Sequence, residues 1–245
     1  MAETAKILSP EKKVILPVSK AGCKMADTIT YEELLKFKET HPDYIIIGYV
    51  NTSAKVKSLC DVCVTSSNAL KIIRHFKGKK IMYVPDKNLA KYANHLSNGE
   101  QCIEHWDGCC YIHDNLVTGQ VRLMKGLHPN AEVIIHPEAR LEVLKMADFI
   151  GSTKQMIDYV KASHKKEFII GTEEGILYSL RKENPDKIFY KLSPNMICGT
   201  MKMTNIEDVM NALEEKGTKF EEIHLEKEVI DKAGKALNKM LELGE

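Results

Sequence analysis

Residues 41–51 read HPDYIIIGYVN, and residues 128–138, 87 positions later, read HPNAEVIIHPE. Each segment opens with a His-Pro pair, continues as a short apolar run and ends in polar residues. A short β-branched run bounded by turn residues is typical of a buried strand in a parallel sheet. The two segments therefore predict equivalent strands, and with them a repeated α/β unit.

The cysteines follow the same repeat. A shift of 87 takes Cys23 to Cys110, and a shift of 88 then takes Cys110 to Cys198. A match between two α/β segments alone has little weight, because such units resemble one another in pattern. One thiol at the same place in each unit is more specific, and it predicts a pseudo-threefold arrangement whose thiolates converge on one metal centre.

Short β-branched runs alternate with amphipathic helical patterns along the chain, as in βαβ units. We therefore predict an α/β fold: a pseudo-threefold repeat of αβα sandwich units, with parallel sheets, around a central cavity. The predicted strands are 13–16, 44–50, 61–65, 80–84, 132–135, 148–151, 167–170 and 187–190. The predicted helices include 31–39, 68–76, 88–96, 153–162, 174–182 and 206–216.

The cysteine spacing also divides the chain. Residues 24–110 and 111–198 each run from just after one cysteine to the next, and we predict them to be the second and third units. Residues 1–23 with 199–245 are predicted to be the remnant of a first, incomplete unit. On this division we expect exposed faces that favour self-association or a separate N-terminal unit, and low activity of this chain alone.

Composition narrows the class of protein. The 245 residues are 44% hydrophobic, enough for a substantial core, and 35 basic against 34 acidic residues favour neither nucleic acid nor an anionic membrane as partner. The sequence shows no secretory signal and no apolar run long enough to span a bilayer, so we expect a cytoplasmic metabolic enzyme. Seven cysteines in such a chain favour metal binding or chemistry over disulfides.

Polar residues stand where several predicted strands end. In parallel α/β sheets, ligands bind at the carboxyl ends of the strands, beside helix N-termini. One such residue alone is commonly a helix cap, but a repeated set predicts a shared ligand pocket. The set consists of Tyr49, Asn51, Ser66, His136, Glu138 and Thr153, in which the first two shift onto His136 and Glu138, and Ser66 shifts onto Thr153.

Three thiolates suit a cubane iron-sulfur cluster with one iron left without a protein ligand. That iron can act as a Lewis acid on a hydroxyl or carboxylate, which favours dehydration or cyclisation chemistry over electron transfer. Zinc is the competing interpretation, but zinc sites usually draw on local pairs such as C-x-x-C.

The remaining cysteines fit this pattern less well. The one local pair, Cys60 and Cys63, we interpret as small buried hydrophobes. Cys102 and Cys109 have no repeat partner. His113, three residues after Cys110, either tunes a cluster ligand or is an ordinary satisfied histidine.

Ten segments together resemble the quinolinate synthases of bacterial and archaeal NAD biosynthesis. They run in family order from one end of the chain to the other, so the match is specific. The segments are MAE (1–3), AGCKMA (21–26), YVN (49–51), TSSNA (65–69), PDKNL (85–89), WDGCCYIH (106–113), HPE (136–138), GST (151–153), GTE (171–173) and the cysteine at 198 ahead of MKM (201–203).

The resemblance implies three αβα domains around a pseudo-threefold axis and a [4Fe-4S] cluster in a central cavity. It also implies the reaction, in which iminoaspartate and dihydroxyacetone phosphate condense to quinolinate with release of phosphate and two waters. An oxidase or dehydrogenase that supplies iminoaspartate is then an expected partner. On the same basis the cluster ligands are Cys23, Cys110 and Cys198, the substrate contacts are Tyr49, Asn51, Ser66, His136, Glu138 and Thr153, and the catalytic groups among them are Tyr49, His136 and Glu138.

The sequence also departs from the family pattern. The family's N-terminal unit, with its His-x-Tyr and its substrate-binding serine, has no counterpart here, and Ala139 stands where many relatives carry a cysteine. A non-catalytic iron-sulfur or small-molecule binding protein left after loss of that unit is therefore an alternative function. A second alternative is an α/β module whose cysteines are structural.

Overall fold

The computed structural model describes residues 1–244, in which helices and strands alternate. The helices are α1 (Ala2–Leu8), α2 (Tyr31–Thr40), α3 (Ala54–Lys57), α4 (Ala69–Arg74), α5 (Lys87–Leu96), α6 (Tyr111–Asp114), α7 (Thr118–Leu127), α8 (Leu141–Leu144), α9 (Thr153–Ala162), α10 (Ile176–Glu183), α11 (Ile206–Leu213) and α12 (Lys227–Gly244). The strands are β1 (Ile15–Leu16), β2 (Tyr44–Tyr49), β3 (Val62–Val64), β4 (Lys80–Val84), β5 (Cys102–His105), β6 (Glu132–Ile135), β7 (Phe149–Ile150), β8 (Glu167–Gly171), β9 (Ile188–Lys191) and β10 (Glu221–Glu222).

The described chain forms two compact bodies. The first body comprises residues 1–87, 93–108 and 199–244, and the second comprises residues 88–92 and 109–198. Each contains a four-stranded, fully parallel sheet, with strand order β3-β2-β4-β5 in the first and β7-β6-β8-β9 in the second. The α/β class and the parallel sheets are therefore confirmed. The division into three units and the pseudo-threefold axis stay predictions.

The repeat predicted from the sequence reappears in the hydrogen bonds of the two sheets. The Asp61 carboxylate accepts a bond from the backbone N–H of Ile46 (2.7 Å), and the Asp148 carboxylate accepts one from Val133 N–H (2.8 Å). Both members of the second pair lie 87 residues after their counterparts. An aspartate at this point pins the start of one strand to the strand beside it in each body.

The turns before the helices that follow β3 and β7 repeat as well. Thr65 N–H donates to Asn68 Oδ1 (2.7 Å), and Ser152 N–H donates to Gln155 Oε1 (2.8 Å), again 87 residues apart. Ser152 also caps α9 by accepting a hydrogen bond from the N–H of Gln155. The shift of 87 is thus confirmed in local contacts as well as in strand order.

The second body is an αβα sandwich, because alternate residues of a strand face opposite sides of the sheet. Val133 and Ile135 of β6 join one buried cluster with α6, α7 and α8. Ile134 joins a different cluster with α9 and α10, as do Phe168 and Ile170 of β8. Apolar residues on both faces explain why the strands appear as continuous hydrophobic runs.

In the first body, the core of the sheet is β2, whose Ile46 and Ile47 are fully buried. The long helix α12 packs on β3, α3, α4 and α1, and it buries Ala236 and Leu237. The two-residue strands β1 and β10 pair antiparallel as a separate ribbon.

Several predicted boundaries were wrong or incomplete. Strand β5 was missed because Ile103 is its only buried residue, so the edge strand carries almost no hydrophobic signal. Helix α10 begins at Ile176 rather than 174, because the Glu173 carboxylate accepts a hydrogen bond from Gly175 N–H in the preceding turn (2.7 Å). Helix α11 ends at Leu213 because Glu215 and Gly217 take left-handed φ values of 55° and 81°.

None of the described helices has the length and apolarity needed to cross a membrane.

Candidate active site

The second body gathers polar side chains from three separate places at the carboxyl end of its sheet. His136 follows β6 directly and Glu138 lies two residues beyond it, whereas Thr172 follows β8. Helix α6 begins just after Cys110 and carries His113. Because parallel strands end at one edge of the sheet, residues distant in sequence meet there.

His113 is at the centre of this group. Its Nδ1 lies 3.0 Å from Glu138 Oε2, and its Nε2 lies 2.9 Å from Thr172 Oγ1. The His113 and His136 rings stack with centroids 4.5 Å apart. His113, His136 and Glu138 are each no more than 6% exposed, so these contacts are shielded from solvent.

Burial determines the charge of His136. Removal from water lowers its pKa from the ordinary value of 6.5 to about 4, and the neighbouring Glu138 carboxylate offsets only part of that shift, while His113 adds to it. His136 is therefore neutral at pH 7. Glu138 N–H donates to His136 Nδ1 (3.4 Å), so Nε2 carries the ring proton.

A second layer of polar contacts holds this group in place. Arg140 makes a two-pronged ion pair with Asp114, at 3.1 Å from Nε and 2.8 Å from a terminal nitrogen. The buried amide of Asn88 donates both to Asp114 Oδ1 (2.9 Å) and to the Glu138 carbonyl (3.0 Å). These contacts tie the helix that carries His113 to the turn that carries Glu138.

Three residues at this end of the sheet, Cys110, His113 and Glu138, could hold a metal ion. One ligand atom each from Cys110, His113 and Glu138 lie within 4.8 Å of one another. The sequence left the role of His113 open and did not predict Thr172. The position of Thr172 directly after β8, which matches that of His136 after β6, was the signal that could have identified it.

Cys198, the last of the three repeat cysteines, lies in the second body and is half-buried. Cys110 and Cys198 pack against the same hydrophobic cluster. The backbone N–H of Cys198 points to Glu173 Oε1 at 3.5 Å.

Cys23, Tyr49 and Asn51 belong to the first body. The Asn51 amide donates to Cys23 Sγ (3.4 Å), and Asn51 Oδ1 is buried without a hydrogen-bond partner among the described residues. Both residues line a cavity of about 430 Å³. Tyr49 is buried at the last position of β2. A buried acceptor beside a thiol is a position where a bound group would find an unsatisfied partner.

A buried lysine fixes the turn that carries Asn51. The Lys57 ammonium is fully buried and donates to the carbonyl of Thr52, whose N–H bonds back to the Tyr49 carbonyl (3.0 Å). Burial lowers the pKa of Lys57. Two hydrogen bonds, one from the Lys57 ammonium and one from the Thr52 N–H, thus hold the turn after β2.

Ser66 lies in the turn before α4, two residues ahead of the N-cap Asn68, and Thr153 lies at the N-terminus of α9. Ser66 is half-buried, and Thr153 is exposed as the first residue of α9. The cap of α9 comes from Ser152, so the capping interpretation does not account for Thr153.

The C-x-x-C cysteines differ from the three repeat cysteines in burial. Cys60 and Cys63 lie in the core, and loss of hydration raises the pKa of both thiols, that of Cys63 to about 11. Cys23, Cys110 and Cys198 are all half-buried, and the described cysteines form no disulfide. The core position of Cys60 and Cys63 is consistent with their interpretation as small buried hydrophobes.

The family model described as quinolinate synthetase A protein matches residues 1–242. A quinolinate synthase of Caldicellulosiruptor bescii is 50% identical over 244 residues, covering 100% of this chain and 79% of that protein. The enzyme of that name from Caldicellulosiruptor saccharolyticus is 51% identical over 243 residues, and the one from Clostridioides difficile is 42% identical over 245 residues, each covered to 79% of its length.

Proposed function

The chain belongs to the quinolinate synthase family, and from that premise we propose how its side chains divide the work of forming quinolinate from iminoaspartate and dihydroxyacetone phosphate. The observation that carries the proposal is the buried group of His113, His136 and Glu138 beside the Cys110 thiol. A carboxylate and a neutral imidazole are thus buried beside a half-buried thiol, an arrangement that suits proton transfer next to a metal centre held by that thiol.

The three repeat cysteines are proposed to hold a [4Fe-4S] cluster. The donor set fits, since Cys23, Cys110 and Cys198 are thiols that are neither in disulfides nor sealed in the core. Cluster sulfurs accept hydrogen bonds from nearby donors, and the Asn51 amide already donates to Cys23 Sγ. When bound with three protein ligands, such a cluster supplies an iron that acts as a Lewis acid toward a hydroxyl or carboxylate.

Glu138 is proposed to move protons during isomerisation and dehydration. Its Oε2 is anchored to His113 Nδ1 at 3.0 Å, and His113 is itself oriented by Thr172 through the opposite ring nitrogen. A carboxylate fixed in this way has a defined orientation, which general acid-base catalysis requires. Tyr49, with a phenol at the end of β2, is proposed as its counterpart in proton transfer.

His136 is proposed to orient or protonate a leaving oxygen. Because burial keeps the ring neutral, with the proton on Nε2, it donates a hydrogen bond without bringing a positive charge. The substrate's carboxylate or phosphate oxygens are assigned to Ser66 and Thr153, which lie near helix N-termini, where hydroxyl and backbone N–H donors favour anions. Asn51 is assigned to substrate through its buried Oδ1.

The test is an anaerobic assay of quinolinate formation with both substrates, together with measurement of bound iron and sulfide. Glu138→Gln and Tyr49→Phe are expected to retain iron while turnover falls by about 10²- to 10⁴-fold, since each removes a proton-transfer group. Cys102→Ser, at an exposed position in the first body, is the matched control and should change neither. Wild-type turnover in both variants would show that these two residues are only structural.

The resemblance also indicates a cytoplasmic location and an oxidase or dehydrogenase that supplies iminoaspartate. Both are part of the proposal. Co-purification of such an enzyme, or faster quinolinate formation in its presence than with free iminoaspartate, would test the second.

A further inference from the structure

Cys110, His113 and Glu138 bring three different metal-binding atoms within 4.8 Å of one another inside the second body. We propose that, when no iron-sulfur cluster is present, these residues bind one divalent ion of the zinc class, and that this ion and the cluster exclude each other. The ion site does not depend on the proposed cluster. Only the competition between the two rests on the proposed function.

The donor atoms select the kind of ion. A thiolate, an imidazole and a carboxylate together suit zinc or cobalt(II), whereas magnesium and calcium prefer oxygen ligands alone. Tetrahedral zinc with bonds of about 2.0–2.1 Å to N and O places those two atoms about 3.3 Å apart. The separation of 3.0 Å between His113 Nδ1 and Glu138 Oε2 is close to that value, so little movement is needed.

The surroundings hold the ligands ready. The second ring nitrogen of His113 lies 2.9 Å from Thr172 Oγ1, the kind of outer contact that fixes the orientation of a metal-binding histidine. Asn88 bonds the carbonyl of Glu138 and the carboxylate of Asp114, next to His113 in the chain. His113 and Glu138 are therefore held in place before any ion arrives.

Charge also favours a divalent ion here. A thiolate at Cys110 and a carboxylate at Glu138 would bring two negative charges together at a largely buried place, which is costly without compensation. A 2+ ion with a neutral His113 makes the group neutral overall. Cys110 is only half-buried, which leaves a route for the ion.

The consequence is a competition for one sulfur atom. The proposed cluster needs the Cys110 thiolate, and so does the single ion. Zinc bound at this place would therefore block assembly of the cluster until it is removed.

The first experiment uses the unmodified full chain, freed of metal anaerobically with a chelator and loaded with one equivalent of zinc. X-ray absorption at the zinc edge is expected to show one sulfur at about 2.3 Å, with nitrogen and oxygen neighbours at about 2.0–2.1 Å. Three sulfur neighbours would overturn the proposal, because they would mean that the repeat cysteines bind the ion together.

The second experiment titrates cobalt(II) into metal-free variants and follows the sulfur-to-cobalt absorption. Cys110→Ser is expected to abolish that band, His113→Gln and Glu138→Gln to weaken binding more than 10-fold, and Thr172→Val to weaken it by about 10- to 100-fold. Cys109→Ser is the matched control for Cys110→Ser. Cys23→Ser removes a proposed cluster ligand that is not part of the ion site. Both variants should bind cobalt(II) as the wild type does. Circular dichroism establishes that each variant is folded.

Wild-type affinity in folded Glu138→Gln and His113→Gln chains would overturn the proposal. The competition is tested separately, by adding iron and sulfide to the zinc-loaded chain. Less cluster than in the metal-free chain is expected, with recovery after chelation. Equal cluster formation in the zinc-loaded and the metal-free chain would contradict the competition. The ion site itself is tested by the two binding experiments.

Discussion

At the scale of single residues, burial decides what each cysteine can do. The thiolate is the reactive and metal-binding form, and an apolar environment disfavours it. Cys60 and Cys63 lie in such an environment, and their raised pKa values keep them as thiols at neutral pH. Cys102 is exposed on the edge strand β5. The C-x-x-C motif is therefore a poor metal ligand despite its spacing.

Alkylation of the native, metal-free chain tests this difference. With iodoacetamide at pH 8, Cys102 is expected to react first, while Cys60 and Cys63 react at least about 10²-fold more slowly, because they are both buried and protonated. Mass spectrometry of digested samples measures the order. The urea-unfolded chain is the control, in which all seven cysteines should react alike. Early labelling of Cys63 in the folded chain would contradict the assignment.

The neutral state of His136 predicts a pH dependence of stability. Well above pH 6.5 the ring is unprotonated in both the folded and the unfolded chain. As pH falls from 6.5 towards 4, the unfolded chain takes up the proton and the folded chain does not, so the free energy of unfolding decreases, by at most about 1.4 kcal/mol per pH unit.

Urea unfolding of the metal-free chain between pH 7.5 and pH 4 measures this slope. His136→Asn lacks the titrating ring and should show a smaller decrease than the wild type over that interval. Equal slopes in the wild type and His136→Asn would mean that His136 is protonated in the folded chain.

At the scale of elements, the two sheets use the same device to fix their strands. Asp61 and Asp148, 87 residues apart, each accept a hydrogen bond from the N–H of a residue in the neighbouring strand. Both side chains are about one-third exposed, so solvent weakens each interaction. Equivalent positions in equivalent sheets should contribute similarly to stability.

Asp61→Ala and Asp148→Ala are each expected to lower the free energy of unfolding by about 1–2 kcal/mol, because a charged acceptor is removed from a strand N–H. The Asn variants should recover part of the loss, since Asn Oδ1 can still accept. Asp158→Ala, which breaks only an exposed pair with Lys154, is the control and should cost no more than about 0.5 kcal/mol. Urea denaturation measures all five variants; a loss in one sheet alone would argue against an equivalent role.

At the scale of the whole molecule, the repeat cysteines lie in different bodies, Cys23 in the first and Cys110 and Cys198 in the second. If they bind one cluster, the anaerobically prepared chain should be brown and contain about four irons, and each of the three thiolates should be needed. Cys198→Ser is therefore expected to lose the iron and Cys109→Ser to retain it. Analysis of iron and acid-labile sulfide measures the cluster content of both variants. Loss of iron in Cys109→Ser alone would reverse the ligand assignment.

The sequence by itself determined the α/β class, the core strands β4 and β6, and the shift of 87 that relates the two sheets. These features are local, because strand periodicity and repeated turn residues are set by neighbours within a few positions. Elements with few buried residues were not predicted, for the same reason. Strand β5 has one buried residue, so no hydrophobic pattern in its own segment indicates a strand.

Only the tertiary structure decided which polar residues share a site. His113 meets Glu138, 25 residues later, and Thr172, 59 residues later, because β6 and β8 are neighbours in the sheet and their carboxyl ends lie at one edge. No local pattern encodes that adjacency. Burial is likewise a property of the folded chain: it makes His136 neutral and keeps Cys60 and Cys63 protonated, since removal from water disfavours the charged form of each group.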